Sequence, residues 1–191
     1  MTLSTAVPAT LPDLDAAAEH ARGFLTALGV DCDAPGLQRS PLRMAKAYLE
    51  MLSSDPFSMT TFPNDEDYAE LVIVRSIPVR SLCEHHLLPF TGVAHVGYLP
   101  GERILGLSKF ARVVEEFTHR PQTQERLTRQ IVDRLDAALD ARGVGAVIEA
   151  EHSCMTLRGV RAPGATTRTS AFTGALAEPA GRADFLAALA D

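Results

Sequence analysis

Cys83-Glu84-His85-His86 packs one thiol and two imidazoles into four residues. Thiolate sulfur and neutral imidazole nitrogen are the atoms that suit a zinc ion. In a regular strand, positions 83 and 86 face opposite ways, so they share a ligand only if a turn or helical kink brings i and i+3 together. Pro89, shortly afterwards, is compatible with such a break. A second tract, Glu149-Ala150-Glu151-His152-Ser153-Cys154-Met155-Thr156-Leu157-Arg158, supplies another thiol. Read as a strand, it puts His152, Cys154, Thr156 and Arg158 on one face, with Arg158 about 13 Å beyond Cys154. Two thiolates and one imidazole leave a fourth tetrahedral position for water, as catalytic zinc sites do. Such an ion lowers the pKa of that water to about 7. The same residues also allow a plainer reading, with the cysteines as small buried hydrophobes and the histidines as a hydrogen-bonded pair. His85 and His152 stand where a general acid or base beside a metal would be placed, and Glu84 reads as a partner behind a ligand or as a solvated carboxylate.

Gly106-Leu107-Ser108-Lys109-Phe110-Ala111-Arg112 offers a different chemistry. Ser108 at an N-cap, the unpaired N–H groups behind it, Lys109, and Arg112 one turn on make an anion cradle. A capped helix with solvated charges is the alternative. Gly101 and Gly106 have P-loop spacing, but Leu107 stands where that motif needs lysine. A metal at one end of the Cys154 strand and the Arg158 guanidinium at the other would suit an elongated substrate whose reacting atom is distant from its phosphates. Arg161 and Arg168 read as surface charges. Gln122-Thr123-Gln124-Glu125 opens a helix, where the dipole favours an acid in any case. In the functional reading, Gln124 and Glu125 present an amide and a carboxylate to a purine edge.

These groups need elements to hold them. Residues 1–12 are small, polar and Pro-containing, and read as a disordered lead-in. Asp13–Leu28 has helical spacing and stops at Gly29. Ser40-Pro41 reads as an N-cap followed by Pro, opening a helix to about Leu52. Ser53–Glu70 reads as a loop. Leu71–Val79 and Phe90–Leu99 read as strands. Ser108 caps a helix reaching His119, and a second helix runs from Thr123 to Arg142, with Leu127, Ile131, Leu135 and Leu139 on one stripe and Gly143 ending it. Ala146–Leu157 and Thr166–Leu176 read as further strands, followed by an Ala-rich tail. Helices, two strands, two helices and two strands predict an α+β fold, its antiparallel sheet covered on one face. The expected division is a helical segment over 1–70 and a catalytic domain over 71–191.

Composition narrows the class. The chain has 191 residues with 46% hydrophobic and 22% charged residues, enough for one core. A formal net charge of −6 disfavours nucleic-acid binding. No apolar run has membrane-spanning length and no secretory signal precedes the first helix, so the cytoplasm is expected. Three cysteines, Cys32, Cys83 and Cys154, do not make a disulfide framework.

Ser81–Phe90, Gly106–Arg112, Gln122–Thr128 and Glu149–Met155 with Arg158-Gly159-Val160, in this order, resemble the zinc-dependent GTP cyclohydrolase I family across roughly Ser40 to Gly174. The resemblance implies hydrolysis and rearrangement of GTP to 7,8-dihydroneopterin triphosphate with release of formate, at the start of folate and pterin synthesis. It implies Cys83, His86 and Cys154 as ligands of Zn2+, and His85 and His152 as the groups that handle protons. Ser108, Lys109, Arg112 and Arg158 match triphosphate-contacting positions, and Gln124 and Glu125 match guanine-reading ones. Arg43 matches an arginine that reaches a neighbouring subunit's triphosphate. The implied fold is the tunnelling (T-) fold with an N-terminal helical extension, assembled as a homodecamer of two pentameric rings with sites at subunit interfaces. His119-Arg120, where two arginines are common, and Leu176, where an aromatic residue is common, depart from the pattern without touching a catalytic position.

Other T-fold enzymes, such as pterin synthases or aldolases, use other metal or carboxylate patterns, and no His-Gly-His tract occurs here. A zinc nucleoside deaminase would need Pro-Cys-x-x-Cys, which is missing. A non-catalytic zinc- or nucleotide-binding oligomer would be expected to have lost His85, His152 or Lys109. An active paralogue serving a deazapurine pathway would carry the same motifs.

Overall fold

The computed structural model describes residues 11–190, so the lead-in expected over 1–12 falls, up to residue 10, outside the described residues. The chain divides into two compact units at Ser53/Ser54, ahead of the expected 70/71 boundary. The reason is a short strand inside the expected loop. Thr61–Pro63 (β1) pairs antiparallel with Arg103–Leu105 (β4) and ties residues 54–70 to the second unit.

The first unit holds α1 (Leu14–Ala27) and α2 (Ser40–Met51). Asp13 caps α1 by accepting from the Ala16 N–H at 2.9 Å, and Gly29 follows the helix with φ +84°. Ser40 is not the cap expected of it. Its N–H donates to Leu37 O at 2.8 Å from a preceding turn, which makes it the first helical residue, and Arg39 takes the cap position.

The second unit is built on a sheet of β2 (Val72–Cys83), β3 (Pro89–Leu99), β5 (Pro121–Gln122), β6 (Gly143–His152) and β7 (Thr166–Phe172), in the order β5-β2-β3-β6-β7. All pairings are antiparallel except the short β2–β5 contact. Two helices, α3 (Ser108–Thr118) and α4 (Gln124–Leu139), cover one face. Phe110, Val113, Val114 and Phe117 of α3 and Leu127, Ile131, Leu135 and Leu139 of α4 bury against Val79, Ala94, Val96, Ala146 and Ile148. Period-2 strands meeting period-3.6 stripes give the expected α+β arrangement of helices packed on an antiparallel sheet.

The carboxyl-terminal segment departs from the simple pattern. The strand expected to 176 stops at Phe172, and the Ala-rich tail forms α6 (Gly174–Ala177) and α7 (Pro179–Ala187). Phe185 of α7 is fully buried with Val147, on the sheet face opposite Ile148, and meets Phe172 edge-on at 5.3 Å. Gly97 and Gly145 make room for it, since a Cβ at either would lie 3.1 or 2.9 Å from Phe185 Cε2.

Two other expected features change. Leu107, with helical φ and ψ, takes the cap position of α3, and Ser108 makes no capping bond. The second long helix ends at Asp140 in the left-handed conformation, so Gly143 starts β6 instead. No helix among the described residues is long and apolar enough to cross a membrane.

Candidate active site

The β2–β3 connection supplies the turn that the Cys-x-x-His spacing requires. The Cys83 N–H donates to Leu88 O at 2.9 Å, and the Leu87 N–H closes back on Cys83 O at 2.7 Å with Leu87 at φ +52°. This single turn puts His85 Nδ1 3.9 Å and His86 Nδ1 4.0 Å from Cys83 Sγ. Zn–S near 2.3 Å and Zn–N near 2.0–2.1 Å at a tetrahedral angle separate two ligand atoms by about 3.6 Å.

The second thiol arrives by a route the strand reading does not predict. β6 ends at His152, and Ser153–Thr156 (α5) is one helical turn, closed by the Leu157 N–H on Ser153 O at 3.0 Å. The Ser153 hydroxyl also donates to Pro89 O across the sheet. The expected common strand face of His152, Cys154, Thr156 and Arg158 therefore does not exist. Arg158 curls back instead, and its Nη1 lies 3.0 Å from His86 Nε2.

Ligand atoms of Cys83, His152 and Cys154 all lie within 4.8 Å of one another. His86 adjoins Cys83 but falls outside that triplet. Two thiols with imidazoles beside them fit a zinc-type ion by donor chemistry. Burial and then the adjacent Cys83 sulfur hold the Cys154 thiol above its ordinary pKa, a penalty that a divalent cation between the sulfurs would remove.

His152 is held on both sides. Its ring stacks on the buried Phe90, its cross-strand partner, at 4.5 Å and 12°. Its Nε2 lies 2.8 Å from Gln124 Oε1. Burial lowers its pKa and the Glu125 charge opposes that, so the imidazole is neutral at neutral pH.

A cavity of about 200 Å3 opens at this cluster, its lining including Cys83, His85, His86, His152 and Cys154 together with Glu125 and Thr167. Thr123 caps α4 by accepting from the Arg126 N–H at 3.3 Å, which fixes the first turn that carries Gln124 and Glu125. The two differ in situation. Both line the cavity, but Glu125 is exposed, whereas Gln124 is buried with its amide engaged inside the protein.

Ser108, Lys109 and Arg112 stand on the first turns of α3 and do not line this cavity. The Lys109 ammonium lies 5.7 Å from the Phe57 ring centroid, and Arg112 pairs with Glu115 at 3.1 Å. Arg43 is exposed on α2 in the first unit.

Arg126 belongs to the site although spacing alone did not single it out. It donates to the Glu84 carboxylate, to Gln122 Oε1 at 2.9 Å and to Pro121 O at 3.0 Å. The other Glu84 oxygen is 3.9 Å from His85 Nε2, so Arg126 and Glu84 stand behind His85. Thr128 and Thr169 were missed as well. Both pack beneath Gln124, and neither carries a motif signal that sequence reading could use.

A family model described as GTP cyclohydrolase I matches residues 17–190. The chain is 55% identical over 158 residues to "GTP cyclohydrolase 1" of Mycobacterium tuberculosis (strain ATCC 25618 / H37Rv), covering 80% of this chain and 78% of that one. It is 52% identical over 172 residues to the protein of that name from Mycolicibacterium gilvum, covering 86% and 85% of the two chains. Against the one from Corynebacterium glutamicum it is 51% identical over 167 residues, covering 85% of each.

Proposed function

The chain belongs to the GTP cyclohydrolase I family, and from that premise we propose that Cys83, His86 and Cys154 hold a zinc ion while His152 and His85 handle protons. GTP is the substrate and the enzyme is a GTP cyclohydrolase I. The proposed products are 7,8-dihydroneopterin triphosphate and formate, made in the cytoplasm for folate and pterin synthesis. The observation that supports the site assignment is the convergence of both thiols with the imidazoles of His85, His86 and His152 around one cavity.

Zinc held there would supply Lewis acidity and a water of pKa about 7. The remaining roles follow from the protein's own groups. Glu125, exposed on the capped first turn of α4, is placed to accept from the donors on guanine's edge and so aim the base at the cluster. His152, neutral and stacked on Phe90, offers a ring nitrogen that takes up and returns a proton beside the reacting carbon. Glu84, itself clamped by Arg126, orients His85 for the second proton position.

Ligation by His86 requires Arg158 to turn away from its ring, because a guanidinium only donates and here occupies the His86 lone pair. The freed guanidinium then joins Ser108, Lys109, Arg112 and Arg43 in binding the triphosphate. We propose that these groups come together across subunit boundaries in a homodecamer, since the α3 cluster does not line the cavity of its own chain.

Formate release from GTP by zinc-loaded protein tests this reading. Production of formate with a pterin that fluoresces after oxidation is expected, and zinc-loaded oligomer giving neither product would overturn it.

A further inference from the structure

Gln124 is 2% exposed and Thr128 1% exposed, yet both are polar and both lie under the reactive histidine. Their hydrogen bonds have a sense that can be worked out without seeing a hydrogen. The Gln124 backbone carbonyl can only accept, so Thr128 Oγ1, 2.7 Å away, spends its single proton there. Thr128 Oγ1 is also 2.7 Å from Thr169 Oγ1, and with its proton committed it must accept from Thr169. The Thr169 oxygen is left as an acceptor, and the Gln124 side-chain nitrogen donates to it at 3.1 Å.

Two further acceptors fix the same amide, so its two hydrogens serve three acceptors, one hydrogen being shared between two of them. Gln124 Nε2 lies 3.0 Å from Ile148 O and 2.9 Å from Thr167 O, and neither carbonyl can donate. A flipped amide would aim its oxygen at two carbonyl oxygens, so the orientation follows from the network. Gln124 Oε1 must then face His152, and at 2.8 Å it can only accept. In the neutral ring the proton of His152 is therefore on Nε2 and the lone pair on Nδ1.

We propose that Gln124, Thr128 and Thr169 form a buried positioning relay that holds His152 in the tautomer protonated on Nε2, with Nδ1 kept as the proton acceptor. The four bonds run in one direction, from the α4 backbone carbonyl through two hydroxyls and an amide to the imidazole. Such a chain has one low-energy arrangement of its protons, because reversing any link leaves two acceptors or two donors facing each other in a buried site. Gln124 acts through His152 and is a positioning residue. Guanine recognition on this helix turn falls to Glu125.

The inference rests on the reading in which His152 moves protons, and its test separates the two. Full-length, zinc-loaded protein with 15N in its histidine rings is compared with variants, the His152 signals being assigned by their absence in His152→Gln. Wild type is expected to show a protonated Nε2 and an unprotonated Nδ1 at His152. Gln124→Met should redistribute those signals and lower kcat for formate release about ten- to a hundredfold, with KM for GTP unchanged. Thr128→Val, which alters no group near the cavity, should shift the same signals, and Thr128→Ser should restore them because it keeps the hydroxyl. Unchanged His152 signals in both Gln124→Met and Thr128→Val would overturn the relay. So would a raised KM with kcat retained in Gln124→Met, the signature of a lost guanine contact. Turnover by His152→Gln bears only on the reading beneath, since the ring spectrum decides the relay whether or not that histidine is needed.

Discussion

Arg158 Nη1 lies 3.0 Å from His86 Nε2, although 72 residues separate them in the chain. A guanidinium cannot accept, so His86 must, and its lone pair is then unavailable to a metal. On the proposed ligand set, Arg158 and zinc would compete for one imidazole. Arg158→Met is expected to bind zinc more tightly than wild type while raising KM for GTP. Competition against a chelating dye measures the first, and zinc affinity equal to or weaker than wild type would remove the competition.

The ligand set makes its own prediction. Cys154→Ala and His86→Ala should each lose zinc together with activity, whereas His152→Ala should keep stoichiometric zinc and lose turnover. Metal analysis after gel filtration distinguishes them. Because the ligand atoms of Cys83, His152 and Cys154 all lie within 4.8 Å of one another, a His152→Ala protein emptied of zinc beside a fully loaded His86→Ala would exchange the two histidines' roles.

Arg126 is half-exposed, so its pairing with Glu84 adds little to stability, no more than about 1 kcal/mol. Its effect should be kinetic. Arg126→Gln is expected to leave the denaturation midpoint nearly unchanged and to lower turnover several-fold by loosening Glu84 behind His85. A large loss of stability with normal turnover in the surviving folded protein would contradict this.

Phe185 locks α7 against the sheet through Gly97 and Gly145. Phe185→Ala should cost about 3–5 kcal/mol, because the helix loses its buried anchor and a cavity opens over the two glycines. Denaturant unfolding at fixed protein concentration reads this directly. A change below about 1 kcal/mol would mean that the tail is not part of the cooperative unit.

His95 gives the pH dependence. Burial lowers its pKa in the folded protein below the ordinary 6.5, Glu149 opposing and Arg75 and Arg168 adding to the shift. Below pH 6.5 the unfolded chain binds this proton more readily than the folded one, so stability is full above that value and falls as pH drops through the lowered folded pKa. His95→Gln should show a shallower loss of stability over that interval. Superimposable pH profiles for the two proteins would rule the contribution out.

Much of this protein is legible in its sequence because the relevant signals are local. The four-residue repeat of Leu127, Ile131, Leu135 and Leu139 specifies the buried stripe of α4 whatever packs on it. The β-branched and aromatic content of Phe90–Leu99 marks β3 as a strand, and shared ligation by Cys83 and His86 would ask for the turn that is found there. The ends of elements were less legible. Gly143, Ser40 and Ser108 carry cap chemistry, but sheet pairing and preceding turns reassigned all three.

What the sequence by itself determined is the chemistry available: two thiols, three imidazoles beside them, and a carboxylate on a capped helix turn. Tertiary structure decided how those groups are oriented. The β3–β6 register sets Phe90 against His152 and brings Pro89 O to the Ser153 hydroxyl, where the strand bends into one helical turn. That bend returns Arg158 to His86, and the packing of α4 against β6 and β7 joins Gln124 to His152 and Thr169. Each of these contacts spans dozens of residues and depends on directional hydrogen bonds. Residue periodicity carries no record of such directions, so the proton position on His152 becomes readable only once the chain is folded.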